Sequence, residues 1–186
     1  GRQQLTLGMQ PSLTFEFIEA VWGLRHIEKP PLDLYRVDSS RDTGLTLSGP
    51  INESQTWKYA VQYGNESGTN AETDKFKAYR GAVRYEVNPG FTVEAMGAIF
   101  NRDKNADRLL VQLFAGYRAK KARAGVSYSF QKRKAPEGST AADVDLDIIS
   151  AFGVVDFQLQ KSSAFVRVDR FQDPCADCSG IDYLPI

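Results

Sequence analysis

Arginines give the clearest chemical signal in this sequence. Arg80, Arg84, Arg118 and Arg123 fall on the polar side of neighbouring segments, so they are expected to share one face of a sheet. Guanidinium groups hold phosphate or carboxylate in a fork of hydrogen bonds, and such a cluster predicts an anion-binding surface. Acidic residues share that face, and the competing interpretation is that opposite charges pair across strands and only keep the face hydrated. The sequence leaves both interpretations open.

Patterns for catalysis and for metal binding are weak. His26 is the only histidine, and a lone histidine in a loop more often makes a hydrogen bond than ligates a metal. Asp145 and Asp147 share a strand face without acid-base geometry, and no nucleophile elbow or phosphate-binding glycine loop is present. Cys175 and Cys178 predict a small loop disulfide, with a free or redox-active pair as the alternative. We expect no enzymatic activity, no cofactor and no metal.

The composition fits a membrane-embedded sheet as well as a soluble domain. The chain has 186 residues with 23 basic and 23 acidic side chains, so no net field favours nucleic acid. No apolar run reaches the ~18 residues that a transmembrane helix needs. The mean hydropathy is -0.37, yet barrel strands hide their apolar residues in alternation with polar ones. Low hydropathy therefore does not exclude a membrane protein.

Apolar and polar side chains alternate along successive segments, which predicts antiparallel strands. In residues 77–87, Tyr79 and Val83 fall on one face and Arg80 and Arg84 on the other. The same pattern predicts strands at residues 3–9, 43–48, 57–63, 91–100, 108–118, 123–131, 144–159 and 163–171.

The period slips once along the chain. Val144 and Ile148 are even-numbered apolar positions, whereas Val155 and Phe157 are odd-numbered ones in the same predicted strand. An extra residue in one strand shifts the alternation in this way. A β-bulge is therefore predicted near Gly153.

Connections between the predicted strands alternate in length. Short turns are expected at residues 49–55, 88–90, 119–121 and 161–162, and longer polar loops at 64–74, 101–107 and 132–143. Short turns at one rim and longer loops at the other are typical of a transmembrane barrel, as are aromatic girdles at both rims. The predicted girdle residues are Trp57, Tyr63, Tyr85, Phe91, Tyr117, Tyr128 and Phe130. The predicted fold is an all-β, antiparallel up-and-down transmembrane β-barrel.

The polar faces of such a barrel would line its lumen. The predicted pore-lining residues are Lys58, Arg80, Arg84, Glu86, Glu94, Arg108, Arg118, Arg123, Asp145, Asp147, Asp156, Arg167 and Asp169. About nine strands are visible, fewer than the ~16–18 that leave an aqueous channel. We therefore expect residues 1–186 to form a single barrel domain or part of a larger barrel of about 16–18 strands.

Residues 10–41 do not alternate and are too long for an idle loop. A short helix is predicted at residues 15–24, with Phe15, Ile18, Val21 and Trp22 on one side and the Pro30-Pro31 pair as its end. We interpret the segment as a constriction loop folded into the lumen. Its candidate residues are Arg25, His26, Glu28, Lys29, Arg36 and Arg41.

This segment and its flanks carry a family resemblance. The residues concerned are Gly8-Met9-Gln10-Pro11, Glu19, Trp22-Gly23-Leu24-Arg25, Glu28-Lys29 and Ser40-Arg41-Asp42-Thr43-Gly44, followed by Gly49. They resemble the strand, lumenal loop and returning strand of the phosphate-selective porin O/P type, within the general porin superfamily of Gram-negative outer membranes. The resemblance implies a trimeric, passive channel, narrowed by one loop, for small hydrophilic solutes or anions such as phosphate.

Two other functions fit the alternation. A small closed outer-membrane barrel could bind a partner through its long loops, with its lumen packed shut by the same charged residues. A soluble ligand-binding barrel of the lipocalin kind would instead keep its apolar side chains inside and its polar ones outside. The expected location is the bacterial outer membrane, with lipid as one partner and no nucleic acid.

Overall fold

The computed structural model describes residues 2–157 and 162–172. The strands are β1 (Gln4–Pro11), β2 (Arg41–Pro50), β3 (Trp57–Gly64), β4 (Ala78–Asn88), β5 (Phe91–Phe100), β6 (Arg108–Arg118), β7 (Ala122–Arg133), β8 (Val144–Phe157) and β9 (Ser162–Gln172). Two helices, α1 (Leu13–Trp22) and α2 (Pro31–Leu34), lie between β1 and β2. A single 3-10 turn, Asp103–Asn105, precedes β6. Cys175 and Cys178 lie outside the described residues.

Each strand pairs antiparallel with the next one along the chain, from β1 to β9, in one nine-stranded sheet. The prediction of an all-β up-and-down sheet is confirmed. The sheet is open, with β1 and β9 at its two edges. Among the described connections, short ones (residues 51–56, 89–90 and 119–121) alternate with long ones (12–40, 65–77, 101–107 and 134–143), as predicted. The remaining predicted turn, between β8 and β9, includes residues outside the described part of the chain.

One face of the sheet, which we call the apolar face, is exposed on every strand. Side chains of a strand alternate between the two faces, and the alternate apolar residues point away from both helices. Leu7 is 82% exposed on β1, and Leu113 is 52% exposed on β6. The apolar face also includes Leu45, Val61, Val83, Ile99, Val126, Ile149, Val155 and Val168. Soluble monomers rarely leave a continuous apolar patch larger than a few hundred Å².

The opposite face, which we call the arginine face, carries Arg80, Arg84, Arg118 and Arg123. Residues 12–40, including both helices, fold back over it, with α1 against β3, β4, β6 and β7 and α2 against β8. We call these residues the covering segment. No helix in the described residues is long and apolar enough to cross a membrane.

Helix α1 buries the side chains that its sequence predicts. Phe15, Ile18, Val21 and Trp22 are all buried against the sheet. The helix begins two residues earlier than predicted, at Leu13, and it ends at Trp22 with Gly23 in the left-handed conformation (φ 68°). The predicted end at the proline pair is wrong because Gly23 stops the helix first, and Pro31 instead begins α2.

Replacing Gly23 with alanine should destabilise the end of α1 by about 1–2 kcal/mol, because a side chain raises the energy of the left-handed conformation. A Cβ atom at this position would also overlap the guanidinium group of Arg123. The free energy of unfolding, measured with denaturant, checks this. Gly138→Ala is the matched control for backbone strain, since Gly138 also has a positive φ (81°) but its Cβ would meet no atom within 4 Å. A loss at Gly23 no larger than at Gly138 would contradict the clash with Arg123.

The arginine face also holds apolar residues that the covering segment buries. Leu13, Phe15 and Leu32 of the segment pack with Phe100 and Ile148 of the sheet, and Met96 and Leu110 join the same core. Ile18 and Val21 form a second cluster with Phe114. The arginine face is therefore a mixed surface, apolar where the segment lies and charged around it.

The predicted β-bulge near Gly153 is wrong. Strands β7 and β8 pair without a shift from Ala122 opposite Val155 to Arg133 opposite Val144. The apolar residues Leu146 and Ile148 are buried on the arginine face, where Ile148 packs against the covering segment. The irregularity in pairing lies instead between Glu86 and Asn88.

Asp145 and Asp147 consequently lie on the apolar face, and their predicted position beside the arginines is wrong. The hydroxyl of Tyr128, an exposed residue of that face, donates a hydrogen bond to Asp147 Oδ1 at 2.7 Å. Lys132 is the register partner of Asp145. Without the predicted bulge, the alternation continues through β8. Both carboxylates therefore lie on the face of the sheet that does not carry Ile148.

Candidate functional site on the arginine face

Arg80 fixes the end of the covering segment to the middle of the sheet. Its side chain is 0% exposed. Nε and Nη2 donate to the two carboxylate oxygens of Asp38 at 3.1 and 2.9 Å, and Nη1 donates to Asp42 Oδ2 at 2.9 Å. The hydroxyl of Thr14 also donates to Asp38 Oδ2 at 2.6 Å. One buried cation therefore joins the start of α1, the end of the segment and strand β4.

The Ser40-to-Gly44 motif has a structural role at this point. Asp42 Oδ2 accepts the backbone N–H of Glu66 at 3.0 Å in addition to the bond from Arg80. Gly44 and Gly64 are register partners, and a Cβ atom on Gly64 would overlap the Asp42 carboxylate. Glycine at position 64 thus allows Asp42 to reach Arg80 across the strands.

Arg118 and Arg123 hold the carboxyl end of α1. The last carbonyl groups of a helix lack partners within the helix and carry partial negative charge, and α1 has no basic residue in its own last turn. Arg118 donates to the Ala20 carbonyl at 2.9 Å, and Arg123 donates to the Trp22 carbonyl at 3.3 Å. Arg123 also pairs with Asp156 at 3.0 Å. Strands β6 and β7 therefore supply the cations that the helix lacks.

Arg84 is also engaged within the protein. It pairs with Glu94 at 2.7 Å on the neighbouring strand, and its guanidinium group lies 4.0 Å from the ring centre of Phe17. Together with the contacts of Arg80, Arg118 and Arg123, this pairing favours the interpretation that charges on this face neutralise one another. The four arginines bind internal acceptors, and the anion-binding surface predicted from them is already occupied by the protein.

Arg167 provides a further contact between the sheet and the covering segment. It donates to the Lys29 carbonyl at 2.7 Å, pairs with Asp169 at 3.0 Å and lies over the Trp22 ring at 5.4 Å. Glu28 lies 3.6 Å from the same guanidinium group. The segment is therefore held at several points along its length by side chains of the sheet.

A second group of arginines lies at the rim with the long connections. Arg108 begins β6 and lies directly opposite Arg133 at the end of β7, and Arg102 lies in the adjacent connection between β5 and β6. Arg102 and Arg133 are close enough for their charges to act on Arg108. Like charges directly opposite each other destabilise a sheet. We call Arg102, Arg108 and Arg133 the arginine cluster.

In the part of the chain that the structure describes, the guanidinium groups of Arg102 and Arg108 have few internal partners. Arg102 forms an ion pair with Glu66, but its Nε atom is buried without a hydrogen-bond partner. Arg133 donates to Gln131 Oε1 at 2.6 Å. For the guanidinium group of Arg108, no hydrogen bond or ion pair to another described residue is observed. Only Arg108 of the three was predicted as a site residue.

The carboxylate of Glu66 contacts this cluster through its ion pair with Arg102. Burial raises the pKa of Glu66 from an ordinary 4.5 to about 7, although Arg102 and Arg108 oppose that rise. The folded protein therefore binds a proton more tightly at Glu66 than the unfolded chain does. This group contributes stability at low pH, and the contribution declines as the pH rises from about 4.5 through about 7.

Comparison with family models and curated proteins identifies no family for this chain. No protein-family model and no curated protein matches the chain. The resemblance to phosphate-selective porins therefore rests on the residues themselves, and function must be argued from the two faces of the sheet.

The other predicted pore-lining residues lie around the edges of the covering segment or beneath it. Glu94, like Arg80, is buried. Lys58 is exposed and Glu86 is half-buried, both near the short connections. Among the described residues, no group of three or more His, Cys, Asp or Glu side chains is placed to hold a metal ion.

The candidate constriction residues divide into paired and exposed ones. Arg25 pairs with Glu19 and with Asp33, the latter at 2.6 Å, and donates to Ser40 Oγ at 2.7 Å. Lys29 reaches Asp33 at 3.4 Å. His26, Arg36 and Arg41 are exposed, and so are Glu28 and Lys29.

The predicted girdle residues lie in two rows on the apolar face. Trp57 and Tyr85 are register partners with rings stacked 4.5 Å apart, and Phe91 is opposite Tyr117. These four lie near the short connections. Tyr63 and Phe130 lie nearer the long connections. Tyr128, predicted for the same row, lies opposite Leu113 in the middle of its strand.

Proposed function

We propose that this protein is an outer-membrane porin, a passive and non-catalytic channel for small hydrophilic solutes or ions. The observation that carries the proposal is the apolar face, exposed on every strand while charged residues and the covering segment occupy the other face. Lipid is the solvent in which such a face is stable, and a lumen is where polar side chains meet water. The aromatic rows near both ends of the strands fit the two membrane interfaces.

The proposal includes closure of the sheet by further strands. Strands β1 and β9 leave two open edges, and open edges are not tolerated within hydrocarbon because their backbone groups lack partners. Closure with the arginine face inward would place the covering segment in the lumen. Barrels of about 16–18 strands are wide enough to retain a channel beside such a segment. A trimer, as the resemblance implies, is part of the same proposal.

We propose an anion preference on the basis of the arginine cluster. Arg102 and Arg108 bring positive charge to one rim, where Glu66 forms an ion pair with Arg102. Positive charge at the mouth of a narrow aqueous passage raises the local concentration of anions, including phosphate. The arginines beneath the covering segment contribute less, because they are bound to carboxylates and helix carbonyls.

Recording currents from the full chain in planar lipid bilayers tests the proposal. We expect stepwise conductance and, in a potassium chloride gradient, a reversal potential with the sign of an anion-preferring pore. Substituting Arg108→Gln should lower the chloride-to-potassium permeability ratio by about two- to fivefold, the effect of removing one charge at partly screened distance. Lys120→Gln, at an exposed short turn, is the matched control.

Two other outcomes of these recordings would contradict the proposal, one in part and one as a whole. Cation selectivity in the unsubstituted protein contradicts the anion preference and leaves the porin standing. The absence of any conductance favours the second candidate, a closed barrel whose long loops bind a partner. That candidate is supported by the tight packing of Phe15 and Trp22, which are 0% and 1% exposed, between the covering segment and the sheet.

A further inference from the structure

The connection between β3 and β4 places one buried carboxylate among the arginines of the rim. Glu66 forms an ion pair with Arg102, which lies in the connection between β5 and β6. The backbone N–H of Glu66 donates to Asp42 Oδ2 at 3.0 Å. The Glu66 side chain is 8% exposed, and its second carboxylate oxygen is buried without a hydrogen-bond partner. The backbone bond and the ion pair fix this acid beside the arginine cluster.

Charged groups from each neighbouring element act on Glu66. Arg102 comes from the connection before β6, Arg108 from β6 itself, Asp38 from the covering segment and Arg80 from β4. Asp38 and Asp42 both bind Arg80, so these three side chains together carry one net negative charge. Arg102 and Arg108 are the positive charges from the rim that Glu66 balances.

We propose that Glu66 is a proton-controlled counter-ion of the arginine cluster, so that protonation of Glu66 increases the attraction of this rim for anions such as phosphate. This inference rests on the proposed function only for its consequence in ion flow. When Glu66 is ionised it neutralises one of the clustered guanidinium charges. When it takes up a proton, the same arginines face the passage with one more unit of uncompensated positive charge.

Two further observations support a response near neutral pH. Burial raises the pKa of Glu66 to about 7, which places its titration within the physiological range. The buried and unpartnered second oxygen can carry the proton without breaking a hydrogen bond to another described residue. A glutamine side chain reproduces the size and the neutral charge of the protonated acid.

Reversal potentials of the full chain in a potassium chloride gradient, recorded from pH 5.5 to pH 8.5, test this inference. We expect the chloride-to-potassium permeability ratio to rise about two- to fivefold as the pH falls through neutrality, the effect of one charge at partly screened distance. Glu66→Gln should remove the pH step and fix the ratio at its low-pH value. The matched control is Glu53→Gln, an exposed glutamate at the opposite rim, which should retain the step.

A second substitution tests the same contact in the opposite direction. Arg108 lowers the pKa of Glu66, so Arg108→Gln should move the pH step to higher pH while lowering the ratio at every pH. A step that persists in Glu66→Gln, or that does not move in Arg108→Gln, overturns the inference.

Binding of inorganic phosphate in detergent separates this inference from the channel proposal. Calorimetry at pH 6 and pH 8 should show tighter binding at the lower pH in the unsubstituted protein, after correction for the ionisation of phosphate with Glu66→Gln as reference. If no conductance is found but this pH-linked difference is present, the porin proposal fails and the role of Glu66 stands. Equal pH dependence of phosphate binding in both proteins overturns the role of Glu66 whatever the conductance.

Discussion

Replacing Arg80 with methionine should lower the free energy of unfolding by about 3–5 kcal/mol, the usual cost of removing one partner from a buried ion pair. The substitution leaves the carboxylates of Asp38 and Asp42 buried, with side chains 2% and 1% exposed, and without their cation. Denaturant unfolding of the full chain in detergent micelles measures the change. Lys58→Met is the matched control, because Lys58 is an exposed cation on the same face. It should change the stability by no more than about 0.5 kcal/mol.

A compensated variant separates the loss of charge balance from the loss of packing. Changing Asp38 and Asp42 to asparagine together with Arg80→Met removes all three charges, and replacing a complete buried ionic group is often tolerated. Most of the lost stability should return, because asparagine keeps an oxygen for the Thr14 hydroxyl and for the Glu66 N–H. If the triple variant is as unstable as Arg80→Met alone, unpaired carboxylates are not the cause.

Introducing arginine at Leu113 should destabilise the protein in lipid by about 2–4 kcal/mol, the cost of a basic residue near the middle of a barrel strand. Leu113 is 52% exposed and lies in the middle of β6 on the apolar face. The same substitution at an exposed position in water should cost no more than about 0.5 kcal/mol. Unfolding measured in lipid vesicles therefore discriminates between a membrane-facing and a water-facing apolar face.

The control for this experiment is Thr140→Arg, an exposed position in the connection between β7 and β8. It should be neutral in vesicles. A Leu113→Arg protein as stable as the Thr140→Arg protein would remove the basis for the porin proposal, since the apolar face would then not be in contact with lipid. Both variants add one arginine, at Leu113 on the apolar face and at Thr140 in a connection outside the sheet.

Alternation made most of the sheet predictable from the sequence. The predicted strands at residues 91–100 and 108–118 coincide with β5 and β6, because one face of each is apolar along its length and polar residues stand at its ends. The assignment of faces failed in β8, where apolar residues at the start and end of the strand fall on different faces. Leu146 and Ile148 looked like members of the apolar face, but they pack under the covering segment. No local pattern tells which apolar residues a distant segment will bury.

The site was predictable only in part, for a similar reason. The short turn after β6 places Arg118 opposite Arg123, and continuous pairing from that turn places Arg108 opposite Arg133. This part of the arginine cluster could have been found from the hairpin register alone. The approach of Glu66 to Arg102 joins two separate long connections, and the binding of Arg118 to Ala20 joins residues 98 positions apart. Contacts of that kind depend on how the connections pack against one another and against the folded sheet.

The bonds from Arg118 and Arg123 to the end of α1 have a consequence for the order of assembly. The carbonyls of Ala20 and Trp22 in helix α1 precede by 98 and 101 residues the arginines that bind them. Contacts between residues so far apart require a long loop to close before they can contribute. The carboxyl end of α1 therefore becomes fixed only after the β6 and β7 hairpin has formed. A chain interrupted before β7 would also lack Phe152 and Phe165, which pack against the Trp22 ring, and would leave Trp22 exposed to aggregation.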